Sequence, residues 1–186
     1  MQSVIVGVGG QGIVFASKVL GHVALKRGDS VMGSEVHGMS QRGGSVISHF
    51  KIGQFRSPLV RKGCADVLLA FDQMEALRSY DFLVPGGHAV VNVHDEAAIE
   101  NPDLRSYFGA RKIRLHAVRG YEILKEHMGG KFLFLNVLIL GAMCGAGAGN
   151  VTIDEVRAAV SDLTPQKFLE ANLKGLDLGY EAVRGQ

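Results

Sequence analysis

A chain of 186 residues, 47% hydrophobic and 20% charged, can bury a sizeable core in one soluble domain and is too short to expect two. Its 20 Lys and Arg stand against 18 Asp and Glu, a net charge of +2 with no basic block of the kind a nucleic-acid footprint needs. Cys64 and Cys144 are far apart and form no C-x-x-C, which argues against an iron–sulfur or structural zinc set carried by this chain and suits a reducing cytoplasm.

In chain order, residues 3–8 form a short β-branched run that reads as a buried strand. It leads directly from Met1-Gln2, which leaves no room for a signal peptide. The run breaks into Gly7, Gly9, Gly10 and Gly12, and Ile13, Ala16, Val19, Leu20 and Val23 then recur at helical spacing. A helix over residues 12–26 followed by a strand over 30–35 predicts a β-α-β unit. Residues 37–44 are polar and flanked by glycine, a loop. Residues 45–52 alternate as a strand and turn at Gly53-Gln54 into 55–57, a hairpin that makes the sheet mixed. Residues 65–71 are continuously apolar, as in a strand covered on both faces.

Asp72 can cap a helix over 73–80, Pro85-Gly86-Gly87 reads as a turn, and strands follow over 88–93 and 112–118, with Asn101-Pro102-Asp103 in a loop. The chain then turns helical, over 120–127 and 132–143. The apolar run 132–144 is broken by Asn136 and Gly141 and is shorter than the ~18–20 residues of a membrane span, so it reads as a buried helix. Thr152 and Glu155 have capping-box spacing for a helix to about residue 163, and Pro165 opens a last helix. The expected fold is one α/β domain over residues 1–186. It is a three-layer sandwich with a mixed, mostly parallel Rossmann-like sheet and a helical C-terminal third.

Gly7, Gly9 and Gly12 fit G-x-G-x-x-G between a strand and a helix, the setting in which backbone N–H groups and a helix dipole meet an anion. A tight turn that binds nothing has the same spacing. If the β-α-β reading holds, the 35–44 loop lies at the same sheet edge, where open α/β sheets bind ligands. Arg42 there, beside Gln41 and before Gly43 and Gly44, offers a guanidinium to phosphate or carboxylate, unless it is merely solvated. Glu35 lies 23 residues after Gly12, where a ribose-binding acid of a dinucleotide fold would sit, or it is a loop carboxylate paired with Arg42 or with a partner chain. His37 and His49 have no further donors at metal spacing, so no metal is expected. Asn136, inside an apolar helix, must find hydrogen-bond partners; it holds a loop backbone or reaches the ligand edge. G-x-S-x-G and P-loop motifs are absent.

Gly7-Val8-Gly9-Gly10-Gln11-Gly12, with Ser34-Glu35-Val36-His37-Gly38-Met39-Ser40-Gln41-Arg42-Gly43-Gly44-Ser45-Val46, resembles the gamma-type subunits of 2-oxoacid:ferredoxin oxidoreductases, in the indolepyruvate version of the second string. Ala65-Asp66-Val67-Leu68-Leu69-Ala70-Phe71, Asn136 with Leu140-Gly141-Ala142, and residues 172–179 extend the likeness over nearly the whole chain. The resemblance implies oxidative decarboxylation of a 2-oxoacid on thiamine diphosphate, electron transfer through [4Fe-4S] clusters to ferredoxin, and release of the acyl group on coenzyme A. This chain has neither the Gly-Asp-Gly opening of a thiamine motif nor a cysteine set, so the resemblance puts both cofactors on a larger alpha subunit. It implies that the two glycine loops, with Gly38, Ser40 and Arg42, meet coenzyme A or the neighbouring active site. No residue is singled out for the chemistry itself, and no tightly bound cofactor, nucleic acid or membrane is expected. A stand-alone NAD(P)-binding oxidoreductase domain and a non-catalytic nucleotide-binding scaffold are the alternatives. Whether the isolated chain forms a homodimer stays open.

Overall fold

The computed structural model describes residues 1–38, 43–95, 97 and 99–184, with the backbone alone for His37. Strand β1 (Gln2–Val8) is followed by helix α1 (Ile13–Lys26) and strands β2 (Val31–His37), β3 (Ser45–Ile52) and β4 (Ala65–Ala70). Helix α2 (Gln73–Leu77), β5 (Leu83–Asn92), α3 (Pro102–Arg111) and β6 (Arg114–Val118) complete the sheet region. Helices α4 (Gly120–Met128), α5 (Leu135–Gly145), α6 (Ile153–Leu163) and α7 (Gln166–Val183) form the C-terminal third.

Six strands lie in the order β2-β3-β1-β4-β5-β6. β1, β4, β5 and β6 pair in parallel, whereas β3 is antiparallel to both β1 and β2. The sheet is therefore mixed and mostly parallel, and side chains of β1 alternate between two cores. Ile5 joins the core formed with α1 and α5, while Val4 and Val6 join Ala76, Tyr80 and Phe108 on the other face. A strand covered on both sides buries side chains on both faces, which is why residues 4–6 in β1 and 67–70 in β4 read as continuous hydrophobic runs. Helix α5 is buried all round from Leu135 to Met143, as a sequence apolar on every face but for Asn136 requires.

Helices α5 and α7 pack backbone to backbone. A Cβ on Gly141 would lie 1.9 Å from the carbonyl oxygen of Leu176, and one on Gly179 would lie 1.8 Å from that of Leu138. These two glycines set how closely the last helix seats on the central one.

Three sequence expectations are corrected. The β1-α1-β2 segment is not a simple β-α-β unit, because β3 inserts between the two strands. The hairpin is formed by β2 and β3, in register from Val31↔Ile52 to His37↔Val46, and residues 55–57 are not a strand. Pro85-Gly86-Gly87 is not a free turn but an irregularity within β5, where the pairing jumps from Ala65↔Leu83 to Val67↔His88. In addition, Asn101-Pro102-Asp103 starts α3: the Asn101 side chain accepts from Asp103 N at 2.8 Å and Pro102 occupies the first turn. The Thr152–Glu155 capping box forms as expected.

Candidate functional site

The reversed strand β3 determines where the site lies. β2 runs antiparallel to β3, and β3 antiparallel to β1, so β1 and β2 end at the same edge. His37 and Gly7 both face Val46 across β3, and Val8 pairs with Ser45. The two glycine-rich turns consequently meet. Gly9 N donates to Gly44 O at 2.9 Å, and Gly38 N donates to Ser45 O at 2.8 Å. Gly43 takes φ +78, a conformation that favours glycine, to bring the second turn back towards the first.

Each residue of the first loop has a distinct environment. Gln11 folds inward. Its Oε1 accepts from Val8 N at 2.7 Å, and its Nε2 donates to Phe71 O at 3.2 Å and to the Tyr121 hydroxyl at 2.9 Å. One carboxamide thus ties the ends of β1 and β4 to the start of α4. A Cβ on Gly7 would come within 2.6 Å of Gln11 Oε1, and one on Gly12 within 2.3 Å of Asn136 Nδ2. Gly7 and Gly12 therefore make room for protein side chains. Gly10 differs: it is exposed at φ +103, with nothing within 4 Å of an added Cβ. The face open to a ligand is Gly9-Gly10 with Gly43-Gly44, beside an α1 N-terminus that has no side-chain cap and no acid in its first turn.

Further along the edge, buried carboxamides continue the same construction. Asn92, fully buried, donates to Phe71 O at 3.1 Å and accepts from Gly120 N at 3.0 Å. Gln73 Oε1 accepts from His94 N at 2.9 Å and from Asp95 N at 3.0 Å. Sequence reasoning missed Gln73, Asn92 and Tyr121; the available signal was a carboxamide placed just beyond an apolar strand, where strand-end backbone groups need partners. Ser45 Oγ donates to Glu75 Oε2 at 2.6 Å, and Glu75 also pairs with Arg78. A polar cleft of about 250 Å³ lies between His94, Asp95, Arg119 and Glu122 at the ends of β5 and β6.

The remaining sequence candidates are spread out. Glu35 pairs in register with Ser48, and Ser48 with Ile5, so Glu35 lies three residues short of the rim, about 10 Å along the strand. β3 also stands between Glu35 and the glycine loop. An acid placed there does not reach a ribose held on the first turn, and the dinucleotide reading loses its distinguishing contact. Glu35 instead lines a groove of about 590 Å³ between α1 and β2. His49 is buried: its Nδ1 accepts from Val60 N at 3.3 Å, its ring packs edge-on against Phe82, and burial with the nearby Lys51 charge lowers its pKa. Asn136 is buried at the start of α5, its Oδ1 accepting from Val137 N at 2.8 Å. Ser40, Gln41 and Arg42 lie outside the described residues. Among the described residues, no three His, Cys, Asp or Glu are placed to hold a metal, and no helix is long and apolar enough to cross a membrane.

Comparison with known proteins agrees with this architecture. The chain is 34% identical to indolepyruvate oxidoreductase subunit IorB of Archaeoglobus fulgidus, over 98% of this chain and 96% of that one. The crystal structure of the gamma subunit of a keto/oxoacid ferredoxin oxidoreductase from Geobacter sulfurreducens matches with a TM-score of 0.73 at 26% identity, covering 98% and 97% of the two chains. Ketoisovalerate oxidoreductase subunit VorA of Methanothermobacter thermautotrophicus is 27% identical; the match spans 97% of this chain and only 36% of VorA. Residues 2–182 match the pyruvate ferredoxin/flavodoxin oxidoreductase family. With that match spanning nearly every residue, this chain belongs to the pyruvate ferredoxin/flavodoxin oxidoreductase family.

Proposed function

We propose that this chain is the small subunit of a cytoplasmic, thiamine-diphosphate-dependent 2-oxoacid:ferredoxin oxidoreductase that acts on an aryl pyruvate, indolepyruvate being the favoured substrate. The complex produces acyl-CoA, CO2 and reduced ferredoxin. The observation that carries the reading is the junction of the two glycine-rich turns at one sheet edge through Gly9 N and Gly44 O. That edge offers backbone donors to an anionic ligand. Thiamine diphosphate and [4Fe-4S] clusters belong to a larger alpha subunit, which passes electrons to ferredoxin. The 34% identity to IorB over nearly the whole chain supports both the division of labour and the choice of oxoacid.

The role of this chain is to bind and orient coenzyme A. Gly10 and Gly43, on turns that Gly9 and Gly44 tie together, suit its phosphates, since Gly10 is open to solvent and the α1 N-terminus behind it has no competing acid. Arg42, between the turns in sequence, supplies the guanidinium. The complex co-expressed with its thiamine-binding subunit should reduce ferredoxin only when indolepyruvate and coenzyme A are both present. Arg42→Ala should raise the KM for coenzyme A about tenfold or more and leave that for the oxoacid unchanged. Unchanged kinetics remove Arg42 from the site, and turnover by the isolated small subunit refutes the whole reading.

A further inference from the structure

Beside the glycine loop lies a second concavity, of about 330 Å³, between the N-terminal ends of α1, α5 and α7. Phe15, Phe134, Pro165 and Phe168 wall it, Gly12 and Asn136 join it to the glycine loop, and no charged side chain lines it. Its rim is unusually apolar for a protein surface: Leu133 is 67% exposed, Phe132 51% and Phe168 40%. Phe132 packs edge-on against Tyr121 at 5.1 Å, the tyrosine that holds Gln11, so rim and loop are mechanically continuous.

The floor is polar in a specific way. Asn136 commits its oxygen to Val137 N, and Asn172 commits its nitrogen to Phe168 O at 2.8 Å. Both N–H donors of Asn136, one N–H and the carbonyl oxygen of Asn172, and the buried hydroxyl of Thr164, unpartnered among the described residues, remain for an occupant. An apolar mouth over free amide donors and a free carbonyl acceptor complements a peptide: a large apolar side chain fills the cavity while its own backbone C=O and N–H meet the two carboxamides. In VorA, a region like this whole chain is about a third of a longer polypeptide, so the rest of that protein is tethered to it. A free-standing small subunit must hold its larger partner by non-covalent contact.

We infer that this groove is where the larger, thiamine-binding subunit docks, inserting an apolar side chain and its peptide group between α1, α5 and α7. The inference rests on the proposed function, and it puts the partner chain directly against Gly12 and the coenzyme A edge.

The test uses both subunits, co-expressed and purified as a complex. Leu133→Asp and Phe168→Asp change exposed side chains, so the small subunit should keep its circular dichroism and Tm. Each should weaken association with the larger subunit roughly tenfold or more, measured by titration. Leu25→Asp is the control: Leu25 is 65% exposed on α1 and about 15 Å along the helix from Phe15. It should bind as wild type. Wild-type affinity for the Leu133 and Phe168 variants, or loss of binding with Leu25→Asp alone, overturns the docking site. Variants that retain association but raise the KM for coenzyme A would make the groove a ligand site instead, and a wild-type homodimer broken by them would make the occupant a second copy. Both results overturn the inference. Failure of the wild-type subunits to associate at all would refute the functional reading beneath it.

Discussion

Replacing Gln11 by Ala tests whether its side chain is a strut or a ligand contact. The change leaves the N–H of Val8 and the hydroxyl of Tyr121 without this partner, while the carbonyl of Phe71 loses one of two donors and keeps Asn92. An unsatisfied buried polar group costs about 1–3 kcal/mol. Val8 and Tyr121 are only partly buried, so water can reach them, and with Phe71 still held by Asn92 the total should be about 2–3 kcal/mol. For a chain of this size that lowers Tm by roughly 4–12 °C. Gln11→Glu should be no better at neutral pH, because a carboxylate keeps the Val8 contact but points a second oxygen at the Phe71 carbonyl. Protonation restores a donor, so the folded-state pKa of that Glu is raised above its unfolded value of about 4.3. The regained stability is then present below that unfolded value and lost as pH rises through the folded one. Thermal and urea unfolding of the isolated subunit measure all of this. A loss below about 0.5 kcal/mol for Gln11→Ala, combined with a raised KM for coenzyme A in the complex, would show that Gln11 faces the ligand and refute the strut.

Gly179→Ala should be far more damaging than Gly10→Ala, although both add one methyl. At Gly179 the methyl meets the Leu138 carbonyl, which cannot give way without parting α5 from α7, so at least ~3 kcal/mol is expected. At Gly10 the space is open and only the positive φ is strained, about 1–2 kcal/mol. Urea midpoints compare the two. Glu155, bound by Arg27 and by Thr152, has its carboxyl held down to about 2. A depressed folded value means stability present above the unfolded pKa and lost as pH falls towards 2. Since Arg27 and Glu155 are each about a third exposed, Glu155→Gln should cost only ~1 kcal/mol at pH 7 and should flatten the stability profile between pH 4.5 and 2. Cys144, whose thiol burial pushes up to about 12, should resist alkylation at pH 8 until the chain unfolds, as read by mass spectrometry.

How much of this was legible in the sequence follows from the range of each interaction. The β1 strand, the glycine turn, the Asp72 cap and the Thr152–Glu155 capping box are set within a few residues, and each forms where spacing predicts. The partner of β3 is not local. Residues 45–52 alternate equally well whether they pair backwards with 31–37 or forwards with 55–57, and only burial of β3 beside β1 decides it. That one choice moved Glu35 away from the loop it was expected to serve. Helix α3 escaped notice for the opposite reason: it buries only Phe108, so its hydrophobic pattern is faint although its Asn-Pro start is clear.

The glycine loop shows the same division within a single motif. A glycine announces that something comes close or that the backbone turns, but not what comes close. At Gly7 it is Gln11 and at Gly12 it is Asn136, whereas at Gly10 it is open solvent. A G-x-G-x-x-G spacing can therefore be kept largely for internal packing, with one exposed position left for a ligand. The residues that make the difference, Gln11 and Asn136, are 125 positions apart, and only the packing of α5 against α1 brings them to the same loop.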